Sequence, residues 1–342
     1  MRHRQFVTVN DVARLAGVSQ AAVSRAFTPG ASISAEKKER IILAAAELGY
    51  HPNQLARSLI RGKSNIVGVG VGDLNNPFFN QTLQLLSTEL DQIGLKLLLF
   101  PAHAVTAEEP SISEILNYRL DALVLLSVSL TSRLAEECGK AQVPIVLYNR
   151  TTLRDDASSV TGDNALGART MAAHLLAGGH ERLAYIAGAE GASTNIERES
   201  AFFAAIRAAG LTEPRLERGN FDMAETAAAT RRLLASKERP DAIFCANDLM
   251  AIAAINVARH EFGLEVGREI SIAGYDDVPM SSWPAFSLTT YAQATPDMVR
   301  NTVRIVCALR GDATHHERVV VQGAMRVRGS TRPVRLPIYP AA

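Results

Sequence analysis

Residues 9–26, VNDVARLAGVSQAAVSRA, constrain this chain more than any other segment. They read as two short helices folded at Gly17, with the second opening at Ser19. A second helix held at that angle can enter a DNA major groove. Thr8 is placed as an N-cap, with Asp11 three residues on in a near capping-box arrangement. Val12, Leu15 and Ala16 are expected on the buried face of the first helix, and Ala22, Val23 and Ala26 on that of the second. Gln20, Ala21, Ser24 and Arg25 are then left facing outward. Ser34 caps a third helix in which Ile41, Ile42, Ala45 and Leu48 repeat at helical spacing, and Gly49 ends it. An all-α helix-turn-helix headpiece is therefore expected over residues 1–50.

Charge supports a polyanion partner for the head alone. Residues 1–64 hold ten Lys/Arg and four Asp/Glu, a formal +6, whereas the remainder holds 26 basic and 31 acidic residues, a formal −5. A basic head on a mildly acidic body suits DNA as partner. Gln and Arg can read adenine and guanine edges, and Ala can touch a thymine methyl. Thr8, Ser19 and Ser24 suit phosphate contacts, which set register. The plainer reading is a three-helix bundle with a solvated polar surface.

Residues 51–63, HPNQLARSLIRGK, form a short segment bracketed by Pro52 and Gly62. One or two helical turns are marginal alone in water. The segment carries Arg57, Arg61 and Lys63, and also Leu59, which a plain linker would not need. Leu59 has a plainer use too, as a packing residue against the body.

From Asn65 onward, short apolar runs alternate with helical stretches. The runs are 66–71, 95–100, 122–126 and 144–147, then 183–187, 242–245 and 270–273. Continuous apolar strands separated by helices predict parallel sheet covered on both faces. Two such series predict an α/β body of two lobes, each a doubly wound parallel sheet. Ligands bind such sheets at the carboxyl ends of strands, so facing lobes would enclose a small-molecule cleft. The candidate cleft residues follow the strands: Asp73, Asn76 and Phe78, then Ser127, Asn149, Arg198, Phe221, Asn247 and Asp276. Carboxylate and amide oxygens accept hydroxyl protons, arginine donates, and phenylalanine covers a C–H face. This is a sugar-like set. Each residue also has a bland reading. Asn247-Asp248 and Asp163-Asn164 can be helix caps only, the favoured reading for the second pair. Phe78 and Phe79 can be core, Gly274–Asp277 a turn, and Arg198, read as opening a helix, a surface partner of Glu197 or Glu199.

The stretch from Val7 to Gly62 resembles the headpiece and hinge of the lac repressor/galactose repressor (LacI/GalR) family of bacterial transcription regulators. Asn76-Pro77-Phe78-Phe79, Asp163-Asn164, Gly178-Gly179-His180, Asn247-Asp248, Gly274-Tyr275-Asp276-Asp277 and Leu288-Thr289-Thr290 resemble its effector domain, in order. The resemblance covers residues 7 to about 330. It implies that Gln20, Ala21 and Arg25 read bases, and that Asn53, Ala56 and Leu59 belong to a hinge entering the minor groove, with Leu59 as a wedge. It implies effector contacts for Arg198, Asn247, Asp276 and Phe221, and more weakly for Asp73, Ser127 and Asn149. The implied architecture is a headpiece (1–50), a hinge (51–63), a periplasmic-binding-protein-like body (64–330) and a tail (331–342). Within the body, the N-lobe takes about 64–161 and 292–320, and the C-lobe about 162–291 and 321–330. Ala201 departs from a glycine common in the family. The tail has Pro333, Pro337 and Pro340 and no leucine heptad, so the lac repressor's tetramerising helix is absent and a homodimer is expected.

The implied function is a DNA-binding repressor controlled by a sugar or sugar derivative. Its partners are pseudo-palindromic double-stranded operator DNA and the effector, with no membrane. A transport solute-binding protein shares the two-lobed body but not the head. A sugar-handling enzyme is disfavoured, because the chain has no Gly-Lys-Ser/Thr phosphate loop, no His-Glu-x-x-His and no Gly-x-Ser-x-Gly. The histidines show no metal spacing, and His315-His316 reads as a surface loop. No metal or other cofactor is expected. Cys138, Cys245 and Cys307 are widely spaced, without a disulfide framework. The N-terminus is polar and basic and no run has transmembrane length, so cytoplasmic residence is expected.

Overall fold

The computed structural model describes residues 7–28, 30–51, 64–101, 115–128, 130–152, 157–314 and 316–334. The hinge positions Asn53, Ala56, Arg57, Leu59, Arg61 and Lys63, and also His315, lie outside the described residues. The chain divides into two units, residues 1–64 and 65–342.

Among its described residues the first unit holds three helices: α1 (Val9–Ala16), α2 (Gln20–Ala26) and α3 (Ala35–Leu48). The Asp11 carboxylate accepts from the Thr8 backbone N–H at 2.9 Å and from its hydroxyl at 2.7 Å. Gly17 ends α1 at φ 63°, a left-handed turn that costs glycine little. Ser19 Oγ caps α2 by accepting from Ala22 N–H, and Ser34 Oγ caps α3 by accepting from Lys37 N–H. The core comprises Val12, Ala13, Ala16, Ala22, Val23, Ala26, Ile41, Ala44 and Ala45. Two expected core residues face outward instead: Leu15 is 47% and Ile42 46% exposed. Ala13 and Ala44 take their places. Small side chains let three short helices approach closely, and the seam runs along the alanines.

The described residues of the second unit form two six-stranded sheets. In chain order its elements are β1 (Ile66–Val71), α4 (Pro77–Gln92), β2 (Lys96–Pro101), β3 (Ala122–Leu126), α5 (Ser132–Lys140), β4 (Ile145–Tyr148) and β5 (Ser158–Gly162). They continue with α6 (Asn164–Ala177), β6 (Leu183–Ala187), α7 (Ser193–Ala208), β7 (Arg215–Arg218), α8 (Met223–Leu234), β8 (Ala242–Cys245), α9 (Asp248–His260) and β9 (Ser271–Asp276). A 3-10 turn (Pro279–Ser282), β10 (Thr289–Ala292), α10 (Thr295–Leu309), β11 (Arg318–Val321) and β12 (Ala324–Arg326) complete the unit. The sheet orders are β11-β5-β4-β3-β1-β2 and β12-β10-β9-β8-β6-β7. Every pairing is parallel except β10 with β12. The chain passes between lobes after β5, after β10 and between β11 and β12.

The central strands β3, β4, β6 and β8 are wholly buried and apolar, as a two-sided parallel sheet requires. The five strands without such a run differ in kind. Buried β5 reads SSVTG, and its first residue, Ser158, gives no hydrophobic signal and uses Oγ to accept from Glu317 N–H. Exposed β7 reads RLER at a sheet edge. Strands β10, β11 and β12 have at most four residues each. Cys138 and Cys245 are buried, Cys307 is exposed, and all three are free. Among the described residues no helix is long and apolar enough to cross a membrane.

Candidate functional site

The carboxyl ends of both sheets face one cavity of about 270 Å³. Asp73, Asn76, Ser127, Asn149, Arg198, Phe221, Asn247 and Asp276 line it, eight of the nine expected residues. Phe78 does not. It is buried in the N-lobe core, edge-on to Phe79 at 5.2 Å and near Tyr148 at 6.3 Å, and Phe79 reaches the cavity instead. Consecutive helical residues point about 100° apart, so only one of the two rings can face the cleft.

Five cavity residues have left-handed backbone: Ser127, Asn149, Asn220, Phe221 and Asp276. Non-glycine residues in that region store strain, which persists where the surrounding fold over-determines it and clusters at functional sites. Phe221 shows how space is made: a Cβ on Gly188 would lie 2.1 Å from its ring. Glycine there lets the ring lie against the β6 end.

Arg198 is the most constrained side chain of the cleft. It sits at the sixth position of α7 rather than opening it, and is 2% exposed, not paired at the surface. Its Nε donates to Asn164 Oδ1 at 2.9 Å and its Nη1 to the Ala246 carbonyl at 2.6 Å. The guanidinium carbon stands 3.5 Å from the Tyr275 ring centroid, a cation–π contact. Nη2 lies 3.8 Å from Asp276 Oδ1 and has no hydrogen-bond partner among the described residues. Asn164 is thus more than a cap neighbour. Asp163 caps α6 by accepting from Leu166 N–H, while Asn164 orients Arg198 and donates to Glu197.

Asp276 accepts from Gln293 Nε2 at 2.8 Å. Burial pushes its carboxyl up to about 6, against the opposing pull of Arg198, Gln293 and Arg150. Asn247 and Asn76 do two jobs each. Their Oδ1 atoms cap α9 and α4, accepting from Met250 N–H and Phe78 N–H, and both residues line the cavity. Asp73 folds its own loop by accepting from Asn75 N–H at 2.8 Å. Asn149 Oδ1 is buried without a partner among the described residues. The cavity wall also includes Arg150, Thr194 and Asn220, which sequence reasoning missed as ligand contacts. Arg150 had one available signal, its position just after β4 next to Asn149. Asn220 had the same signal, just after β7 and next to Phe221, and Thr194 had none.

In the first unit, Thr8, Ser19, Gln20, Ala21, Ser24 and Arg25 are all exposed. Ala22, Val23 and Ala26 anchor the opposite face of α2. Arg25 rests on its own helix, its Nε donating to the Ala21 carbonyl at 3.3 Å.

A family model described as bacterial regulatory proteins, lacI family, matches residues 8–53. A periplasmic binding protein-like domain matches residues 172–331. The chain is 30% identical to the HTH-type transcriptional regulator CelR of Thermobifida fusca, over 96% of this chain and all of that protein. The chain belongs to the LacI family. Its fold superposes on the lac repressor dimer bound to operator and the anti-inducer ONPF with a TM-score of 0.84, at 26% identity over 96% of this chain and 100% of that one. A CelR–cellobiose complex gives a TM-score of 0.71 at 28% identity, over 95% and 99% of the two chains. As a LacI-family member this chain joins a helix-turn-helix DNA-binding domain to a two-lobed α/β body, and its relatives are named as transcriptional regulators.

Proposed function

We propose that this LacI-family protein is an effector-controlled repressor and not an enzyme. A cytoplasmic homodimer binds a pseudo-palindromic operator, and a sugar-like molecule in the cleft alters that affinity. One observation carries the effector half. Within one cavity, Asn149 Oδ1 and Arg198 Nη2 are buried and unpartnered among the described residues. Such groups are costly unless satisfied, and hydroxyl groups both donate and accept. Phe221 offers a ring for a sugar's C–H face, and Asp276 and Asn247 offer further polar contacts. The operator-bound and cellobiose-bound relatives support the two halves of this reading.

On the DNA side, Gln20, Ala21 and Arg25 read bases, while Thr8, Ser19 and Ser24 hold phosphates. Asn53, Ala56 and Leu59 act in the hinge. Arg25→Ala is expected to relax base preference at one operator position by about 1–3 kcal/mol. Binding-site selection measures this, and an unchanged consensus would count against Arg25 as a reader.

Strand β2 supports the homodimer. It is an edge strand carrying Leu97, Leu98 and Leu99, with Leu99 42% exposed. Uncovered apolar edges invite aggregation, and a second copy covers this one. Leu99→Lys is expected to shift the protein toward monomer in sedimentation and weaken operator binding with it. A dimer of undiminished stability would put the interface elsewhere.

The effector acts only through its differential affinity for two arrangements of the lobes. Inducer release and corepressor capture use the same parts, and a gel shift with and without effector distinguishes them. Failure of the full-length protein to form a specific promoter complex at any salt concentration would sink the regulator reading.

A further inference from the structure

Arg150 has no part in the reading above, and its surroundings are unusual for an arginine. It is 8% exposed on the cavity wall. Its Nη1 donates to the Asn149 carbonyl at 2.8 Å and to Thr194 Oγ1 at 2.9 Å. Both acceptors are neutral. Among the described residues no carboxylate forms an ion pair with it, whereas Arg198 has Asp276 at 3.8 Å. Asp73, the other carboxylate on the wall, is half-buried and folds its own loop. Burial, with the neighbouring Arg198 charge, lowers the Arg150 pKa to about 10 against the opposing attraction of Asp276, so it remains a cation near neutral pH. Arg150 and Arg198 thus draw on one carboxylate, Asp276, and a buried cation bonded only to neutral acceptors is costly unless more of its charge is met.

The first turn of α7 adds positive potential to the same wall. Its N-cap is Ala192, no side chain caps it, and the first turn contains no acid. Helices α4 and α9, which also start at the cavity, are capped by Asn76 and Asn247. An open helix N-terminus presents N–H groups and partial positive charge to an anion. Arg150 bonds to Thr194 within that turn, and the unpartnered Arg198 Nη2 lies one turn further along α7.

We propose that the effector is a polyol of monosaccharide size bearing one anionic group, a carboxylate or a phosphate, held between Arg150, Arg198 and the first turn of α7. This rests on the cleft being the effector site. The size follows from the cavity of about 270 Å³, at the small end of ligand pockets. Asp276 already takes part of the Arg198 charge, at 3.8 Å from its Nη2, which assigns the acid group mainly to Arg150 and the first turn of α7. The hydroxyls then meet Asn149 Oδ1 and Asp276.

Titration calorimetry on the full-length protein tests this, with D-gluconate, D-glucuronate, D-galacturonate and D-glucose 6-phosphate against D-glucose and D-galactose. At least one acid is expected to bind about tenfold or more tightly than its neutral parent, a difference typical of a charged hydrogen bond. Carboxylate-only or phosphate-only binding identifies the anion. Arg150→Met is expected to remove the preference for the acid, and Arg150→Lys to keep part of it. Should Arg150→Met fold poorly, Thr194→Asp serves instead: a carboxylate beside Arg150 neutralises the site and is expected to abolish binding of the acid. Equal or tighter binding of the neutral sugars, no binding by any acid, or a preference that survives both Arg150→Met and Thr194→Asp overturns the proposal. A neutral sugar that alters operator binding while no acid binds overturns this inference alone. Absence of a specific operator complex overturns the regulator reading instead.

Discussion

Replacing Arg198 with methionine is expected to abolish the effect of the effector on operator binding. Arg198 is held on three sides, by Asn164 Oδ1, the Ala246 carbonyl and the Tyr275 ring, with one Nη left for a ligand. Methionine keeps the apolar stem and removes every donor. Charged hydrogen bonds of this kind contribute about 1.5–3 kcal/mol each, so effector affinity should fall about 100-fold. Calorimetry reports the affinity and a gel shift reports the response. Asn164 and Ala246 also lose a partner, and a lower thermal midpoint is expected to show it. Unchanged effector affinity together with lost operator binding would mean that Arg198 is not a cleft residue in function.

The second large effect concerns Asp248, a buried carboxylate that is not part of the cavity lining. It accepts from Val278 N–H at 2.9 Å, Ser281 Oγ at 2.6 Å and Thr290 Oγ1 at 2.6 Å. It thereby ties the start of α9 to β10 and to the turn after β9. Asp248→Ala strands three buried donors and is expected to cost about 3–5 kcal/mol. Urea unfolding can follow Trp283, the chain's single tryptophan, which adjoins that turn. The pH dependence has a definite sign. Burial, aided by the Asp276 charge, raises the folded Asp248 pKa to about 7, above an unfolded value of about 4. Its stabilising contribution is full below the unfolded value and is lost as pH rises through about 7. The gap between wild type and Asp248→Ala should therefore be wider at pH 5 than at pH 8. A gap that widens toward pH 8 would show that the three donors keep Asp248 ionised.

Much of the cleft was legible because its residues obey a topological rule. In parallel sheets the ligand side is the carboxyl end of each strand, and apolar runs such as 122–126 or 242–245 announce where those ends fall. Asn149, Asn247 and Asp276 follow directly. Arg150 could have been read the same way, but nothing in its local pattern separates a cleft cation from a surface one. Gln293 was hidden for another reason: it follows β10, a four-residue strand reading TTYA without an apolar run, and holds Asp276 from 17 residues away. In the headpiece, helical spacing gave the inward face of α2 correctly but misassigned Leu15 and Ile42. Spacing names a face, and the neighbouring helices choose which edge of it is covered.

The order of apolar runs and helix caps determined by itself that this chain has a three-helix head and a two-lobed parallel-sheet body. Those signals are local, a few residues long, and depend on hydrogen-bonding and burial preferences that every chain shares. Only the tertiary structure decided which side chains meet. It turned Phe79 rather than Phe78 toward the cavity, buried Arg198 over Tyr275, and set Arg150 beside an uncapped helix with only neutral hydrogen-bond acceptors among the described residues. These outcomes depend on packing between segments far apart in the chain, where one rotation of a helix changes which group loses water and which finds a partner.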